Sequence, residues 1–215
     1  MRVLGHELRR PLTVIRGAST LLIDDADALP PPSRQQMLAM IDRSAAEMSE
    51  LIDDMMIAVH LDIGDVHFAV EPVDVQGVVE EAVEAVHREE PARRVEIGSA
   101  DGLVVEADRE HAVRALRALV QNAHRHTPSG DILTVTVRAE DDMVRVTVLD
   151  RGPGIPPDQR ERAFARFSRL DPNASGAGLG LFVARGLARG MGGEVSLGDR
   201  EDGGTAACFT LRRRG

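Results

Sequence analysis

An imidazole and a carboxylate stand side by side at positions 6 and 7, in the run His6-Glu7-Leu8-Arg9-Arg10-Pro11-Leu12-Thr13. Imidazole can accept a phosphoryl group and pass it on because the N–P bond is labile. A neighbouring carboxylate can take the proton from the opposite ring nitrogen and raise the ring's nucleophilicity. Much later in the chain come Asn122, then Asp150-Arg151-Gly152-Pro153-Gly154, then Gly176-Ala177-Gly178-Leu179-Gly180-Leu181. A reactive histidine followed by elements suited to holding a phosphorylated nucleotide is the order that gives this sequence meaning.

Each signal also has a bland reading. The chain has seven histidines, and His6 taken alone is an exposed residue on an amphipathic helix. Asn122 falls late in a helix that begins near Asp108. Its amide oxygen could ligate Mg²⁺, a hard ion that prefers oxygen, or it could simply be a polar residue near a helix end. Arg125 and His126 follow within a turn and could meet phosphates or an adenine edge. Asp150 closes a strand, where its carboxylate could accept from an adenine amino group. Gly152 and Gly154 would let backbone approach the base without a clashing Cβ, although Asp-x-Gly-x-Gly is often only a turn. Gly176, Gly178, Leu179 and Gly180 lead into a helix, and glycines there expose amide donors to phosphate at the favourable end of the helix dipole. The spacing is not Gly-x-Gly-x-x-Gly inside a βαβ unit, and no Gly-Lys-Ser/Thr occurs, so Rossmann and Walker-type loops are excluded.

The elements that must carry these groups fall into two parts with a break near residue 65. Before it, Leu4, Leu8, Leu12, Ile15 and Leu22, and then Met37, Ile41, Ala45, Met48, Ile52, Met55 and Val59, recur at helical steps. The spacing predicts helices over 3–23 and 33–61, joined by a proline-rich turn over 24–32, with Ser33 and Gln36 as a capping box for the second. Pro11 removes one helical hydrogen bond and is expected to bend the first helix just past His6. A hairpin alone cannot cover its apolar stripe, and pairing with a second copy into a four-helix bundle is the simple remedy. After residue 65 the pattern predicts helices near 74–89, 109–126, 157–167 and 180–191. Strands are expected near 67–71, 93–97, 103–106, 131–139, 143–150, 194–198 and 205–212, with 140–142 as a hairpin turn. The fold class is therefore α+β: a helical hairpin over 1–65, then an α/β sandwich over 66–215 with a mixed, largely antiparallel sheet.

Composition narrows the function. The chain of 215 residues is 43% apolar, enough for real cores, and its formal net charge of −9 argues against a protein held on nucleic acid by phosphate contacts. All positive charge is arginine, for the sequence contains no lysine. No apolar stretch is long enough to span a membrane, and no signal peptide precedes the first helix. The single cysteine, Cys208, has no partner for an intrachain disulfide and is expected to be a small core residue.

With these motifs in order, the chain resembles the catalytic core of a two-component sensor histidine kinase, in which a dimerisation and phosphotransfer hairpin precedes a Bergerat-type ATP-binding domain. Residues 6–12 resemble the family's H box, Asn122-Ala123 its N box, and residues 150–154 its first glycine box. Phe164 and Phe167 resemble the phenylalanine box, residues 176–181 the second glycine box, and Gly203-Gly204-Thr205 the last glycine motif before the closing strand. The match covers nearly the whole chain. It implies ATP and Mg²⁺, with His6 as phosphoacceptor, Glu7 as assisting base, Asn122 as the Mg²⁺ ligand and Asp150 as the adenine reader. It also implies a homodimer, and a receiver domain of a separate response regulator as partner in trans. The family's first helix normally starts earlier and connects to a sensor, so a truncated form is expected, with cytoplasmic placement, as the cytoplasmic part of a membrane-anchored sensor where an anchor exists.

Departures from the family pattern qualify this reading. Gly5 replaces the usual serine before the histidine, and His126 stands where an aromatic residue is common. Arg10 occupies the position four residues after the histidine, commonly threonine or asparagine, where a water is positioned to dephosphorylate the partner. A guanidinium cannot accept that hydrogen bond, so phosphatase activity is expected to be weak. The stretch 168–175 corresponds to a short ATP lid with few basic residues. Two rivals share the pocket. ATP-hydrolysing relatives of the topoisomerase, chaperone or mismatch-repair type use a glutamate four residues before the asparagine, and here that residue is Ala118. A degenerate kinase serving as a nucleotide-gated dimeric scaffold would lack phosphorylation of His6.

Overall fold

The computed structural model describes residues 2–24, 29–170 and 176–214, in two compact units, 1–59 and 60–215. The first is a helical hairpin. Helix α1 (Arg2–Asp24) continues through Pro11, and α2 (Pro31–Ile63) follows the turn, of which residues 25–28 lie outside the described residues. The expected capping box at Ser33 does not form. The helix begins two residues earlier, where the Pro30 carbonyl accepts from Ser33 N and Arg34 N and the prolines occupy the first turn. Proline suits those positions because its missing N–H has no helical partner there and its φ is already helical. The apolar stripes are only partly covered: Leu12 is 45% exposed, Ile52 50% and Val59 50%.

The second unit is built from five sheet strands, a separate strand pair and helices. Strands β2 (Val95–Ile97), β4 (Leu133–Glu140), β5 (Met143–Leu149), β7 (Thr205–Arg212) and β6 (Glu194–Asp199) form one sheet in the order β2-β4-β5-β7-β6. Only β2–β4 is parallel. Strands β1 (Glu71–Asp74) and β3 (Val104–Ala107) pair apart from it, antiparallel. The alternation read from the sequence is realised in β5, where Val144, Val146 and Val148 are buried while Arg145 and Thr147 are half-exposed. Helices α3 (Val75–Glu89), α4 (Arg109–His126) and α6 (Gly180–Gly190) pack on the buried face. Their apolar stripes meet it through Val79, Leu116, Leu119 and Leu187, each fully buried. The run 157–167 resolves into a 3-10 turn at Pro157–Gln159 and a single turn α5 (Arg160–Ala163).

Two further expectations need correction. The strand foreseen at 67–71 is displaced to β1, because Phe68 packs on the His111 ring and the Ala69 amide donates to Asp108 Oδ2 at 2.9 Å instead of joining a ladder. Cys208 is not a core residue. It lies on the open face of the sheet, half-buried, across from Thr147, whose hydroxyl is 3.7 Å from its Sγ. Among the described residues, no helix is long and apolar enough to cross a membrane.

Candidate functional site

The phosphoacceptor candidate sits in the hairpin. His6 is exposed on α1, Glu7 is buried and Arg10 is exposed one turn further on. Pro11 has no N–H to give to the Glu7 carbonyl, and the Thr13 hydroxyl donates to the Arg9 carbonyl at 2.8 Å in the following turn.

The other predicted residues gather around the C-terminal half of α4. That helix starts on Asp108, whose Oδ1 accepts from the His111 amide at 3.1 Å, and ends at Thr127, whose amide donates to Ala123 O. Alanines and leucines bury one face, which leaves Asn122 half-exposed and Arg125 and His126 exposed at its end.

The glycine motifs approach this end closely. A Cβ on Gly152 would lie 2.8 Å from the His126 carbonyl, and one on Gly176 would lie 3.3 Å from Arg125 Nη1. Gly180 faces Ala118. Gly178, at φ +68°, leaves no room for a side chain against the Phe167–Ser168 backbone. Gly152 and Gly178 are required because main chain takes the space a side chain would fill, and Gly176 because its φ of +112° favours glycine, whereas a Cβ at Gly180 would make only ordinary contact with Ala118.

Asp150 is the most constrained of the set. It is 4% exposed; its Oδ1 accepts from Gly152 N at 2.8 Å and from Thr205 N at 3.0 Å, while its own amide donates to Thr205 O. Arg200 Nη1 donates to its carbonyl at 3.1 Å. Two backbone donors thus fix one carboxylate oxygen. Among the described residues, Oδ2 makes no hydrogen bond and remains a strong acceptor for a ligand donor. Thr205 acts through Asp150, and Gly204, at φ +106°, passes so near the Asp150 carbonyl that no Cβ fits.

Helix α6 opens at Gly180, where buried Leu179 supplies no side-chain cap. Its first amides have no partner inside the helix, which is the geometry that receives phosphate. Beside it, Phe164 is buried under the Arg185 guanidinium, 4.4 Å from the ring centroid. Arg185 also pairs with Glu161 at 2.8 Å and Glu194 at 2.8 Å. Hydrogen bonding to Arg185 holds the Glu161 carboxyl below its ordinary value. Of the lid segment, residues 171–175 lie outside the described residues.

Among the described residues, no group of three or more His, Cys, Asp or Glu could hold a metal ion. Asn122, half-exposed near the end of α4, is the residue expected to offer a divalent cation an amide oxygen. Sequence reasoning did not find Thr127, whose hydroxyl accepts from the Arg151 amide at 3.3 Å and ties the first glycine motif to α4. It did not find Arg93 or Arg185 either, since in sequence each is one arginine among many.

Comparison with known proteins agrees with this geometry. Residues 107–215 match the family of histidine kinase-, DNA gyrase B-, and HSP90-like ATPases, and residues 1–62 match the His Kinase A (phospho-acceptor) domain. The signal transduction histidine-protein kinase/phosphatase MprB of Mycobacterium leprae is 34% identical over 206 residues, which are 93% of this chain and 39% of that protein. The histidine-protein kinase BaeS of Escherichia coli is 27% identical over 217 residues, 98% of this chain and 46% of that protein. The chain thus spans less than half the length of these relatives. Among solved structures, full-length ShkA in complex with AMPPNP superposes with a TM-score of 0.68 at 28% identity, covering 99% of this chain and 45% of that one. A mycobacterial MprB structure superposes with a TM-score of 0.62 at 29% identity, covering 68% of this chain and 99% of that one.

Proposed function

Because the chain belongs to the sensor histidine kinases of two-component systems, we propose that it phosphorylates His6 from ATP and passes the phosphoryl group to an aspartate of a separate response regulator. The observation that carries this reading is the pairing, in one chain, of an exposed H-box histidine with a glycine-lined site around α4 whose buried carboxylate keeps one oxygen available. The ShkA relative is known as a complex with AMPPNP, which supports a nucleotide triphosphate as ligand.

Each residue has a role in this account. Asp150 Oδ2 accepts from the adenine amino group, and Thr205 N and Gly152 N hold the carboxylate in place. Gly154 keeps main chain close to the base. Gly176, Gly178 and the uncapped amides at the start of α6 receive phosphate oxygens, with Arg125 and His126 at the rim and Leu179 anchoring the turn in the core. Asn122 ligates Mg²⁺, which neutralises phosphate charge when bound.

In the transfer, the unprotonated nitrogen of the His6 ring attacks the γ-phosphorus. An N–P bond forms as the P–O bond to the ADP leaving group breaks, and the proton on the opposite nitrogen passes to Glu7. The regulator's carboxylate then attacks the same phosphorus, and the imidazole leaves and regains its proton. Two copies of the hairpin pack as a four-helix bundle that covers Leu12, Ile52 and their exposed neighbours. The chain works on the cytoplasmic side, where ATP and the regulator are found.

Incubation with Mg-ATP, digestion at alkaline pH and mass analysis tests the proposal. One phosphoryl group on the α1 peptide carrying His6 is expected. Modification only of serine or threonine, or ATP turnover to free phosphate with an unmodified chain, would contradict it.

A further inference from the structure

Arg93 lies outside every motif, in the loop between α3 and β2, yet it is 6% exposed. A buried guanidinium is expensive unless its donors are used, and here they all converge on one place. Nε donates to His124 Nδ1 at 3.0 Å, Nη1 to the Pro128 carbonyl at 2.9 Å and the Asp131 carbonyl at 3.3 Å, and Nη2 to the Thr127 carbonyl at 3.4 Å. Glu90 adds a carboxylate 3.7 Å from Nη2. The accepting groups belong to the last turn of α4 and the loop that leaves it, where a helix has carbonyls without helical donors and the negative end of its dipole. A planar fork can serve three carbonyls and an imidazole together, whereas an ammonium cannot.

His124 is held from both sides. Its Nδ1 accepts from Arg93 and is therefore unprotonated, while Nε2 lies 3.0 Å from Glu90 Oε2. This residue sits between Asn122 and the Arg125-His126 pair. Three positions on, Thr127 presents its carbonyl to Arg93 and its hydroxyl to the Arg151 amide, 3.3 Å away in the first glycine motif. The same guanidinium thus fixes the end of α4 that carries the candidate phosphate and metal contacts, and, one bond further, the loop that begins at Asp150.

We propose that Arg93 is a positioning residue for nucleotide binding: it clips the C-terminal turn of α4 so that Asn122, Arg125 and His126 keep their register with the Asp150 loop. This rests on the nucleotide-site reading above. Arg93 is buried and its donors are spent on the end of α4 and the loop after it, so its loss should weaken nucleotide affinity while leaving the rate at saturation intact.

The test uses the full chain with Mg-ADP as the calorimetric probe, alongside thermal unfolding and autophosphorylation kinetics. Arg93→Lys keeps the charge and loses the fork. It should fold, bind Mg-ADP about tenfold more weakly, and show a raised KM for ATP with kcat within about twofold of wild type. Arg93→Met should lose more affinity. His124→Leu should weaken binding in the same direction, and His124→Asn, whose Oδ1 can accept from Arg93, should recover most of that loss. Wild-type Mg-ADP affinity in Arg93→Lys would overturn the proposal. So would a fall in kcat with KM unchanged, or a loss of binding no larger than the loss of folded protein. If Arg93→Met does not fold, Arg93→Lys and the His124 pair decide. Asp150→Asn separates the two levels: if it also binds Mg-ADP like wild type, the nucleotide-site reading fails; if it loses affinity and Arg93→Lys does not, only the clip fails.

Discussion

Replacing Asp150 by asparagine isolates a single atom. In the folded protein Oδ1 accepts from Gly152 N and Thr205 N, and asparagine can keep both bonds with its own oxygen. The amide nitrogen then occupies the place of Oδ2, so a charged acceptor for adenine becomes a donor facing a donor. A hydrogen bond to a charged group is worth about 1.5–3 kcal/mol, and each 1.4 kcal/mol is about a factor of ten in binding. Nucleotide affinity should therefore fall by about 10- to 150-fold. Stability should change by less than about 1 kcal/mol, since no buried amide loses its acceptor. Asp150→Ala behaves differently: it strands the buried Thr205 N–H, at about 1–3 kcal/mol, together with the half-buried Gly152 N–H, and should lower the melting temperature as well. Calorimetric titration with Mg-ADP beside thermal unfolding reads both quantities. A folded Asp150→Asn protein that binds nucleotide within about threefold of wild type would refute the assignment of Oδ2 as the base reader.

Other consequences are as direct. Gly178→Ala should both destabilise the protein, by about 2 kcal/mol or more, and weaken nucleotide binding, because φ is +68° and the new methyl meets the Phe167–Ser168 backbone. Gly5→Ser, with nothing within 4 Å of the added carbon and serine the better helix former, should leave the melting temperature unchanged or slightly raised; a lowered one would contradict the open space. Arg10→Thr should raise the rate at which a phosphorylated receiver domain is dephosphorylated; rapid dephosphorylation by the wild type would sink that idea. For Asp108, burial raises the carboxyl pKa, but hydrogen bonds from His111 and Ala69 outweigh it and leave the group below its ordinary 3.8. Its contribution is thus present above that value and lost as pH falls through the depressed folded one. Unfolding free energy should drop more steeply below about pH 4 in wild type than in Asp108→Asn, a capping residue that does not titrate.

Much of the fold was legible because its signals are local. Asp108 followed by an apolar stripe marks the start of α4, and the alternation from Met143 to Leu149 marks β5, each a statement about neighbours in sequence. The candidate site was legible for a related reason: the glycines that main chain must approach, and the carboxylate at a strand end, cannot be other residue types and still do their work. What stayed hidden is long-range or competitive. Phe68 reads as strand until α4 and α6 offer it a place to pack. Ser33 reads as a helix cap until Pro31 starts the helix first. Arg93 and Arg185 look like solvent-facing charges because their acceptors, a helix end 31 residues away for Arg93 and a glutamate 24 residues back for Arg185, are brought to them only by the completed sandwich.

The central claim is that His6 receives the γ-phosphoryl group of ATP, and the most direct test is incubation with γ-labelled ATP and Mg²⁺, comparing wild type with His6→Gln. The account predicts label that is lost in acid, kept in base and absent from the variant. Label that survives acid, label retained by His6→Gln, or an unlabelled wild type that still binds nucleotide tightly would contradict it.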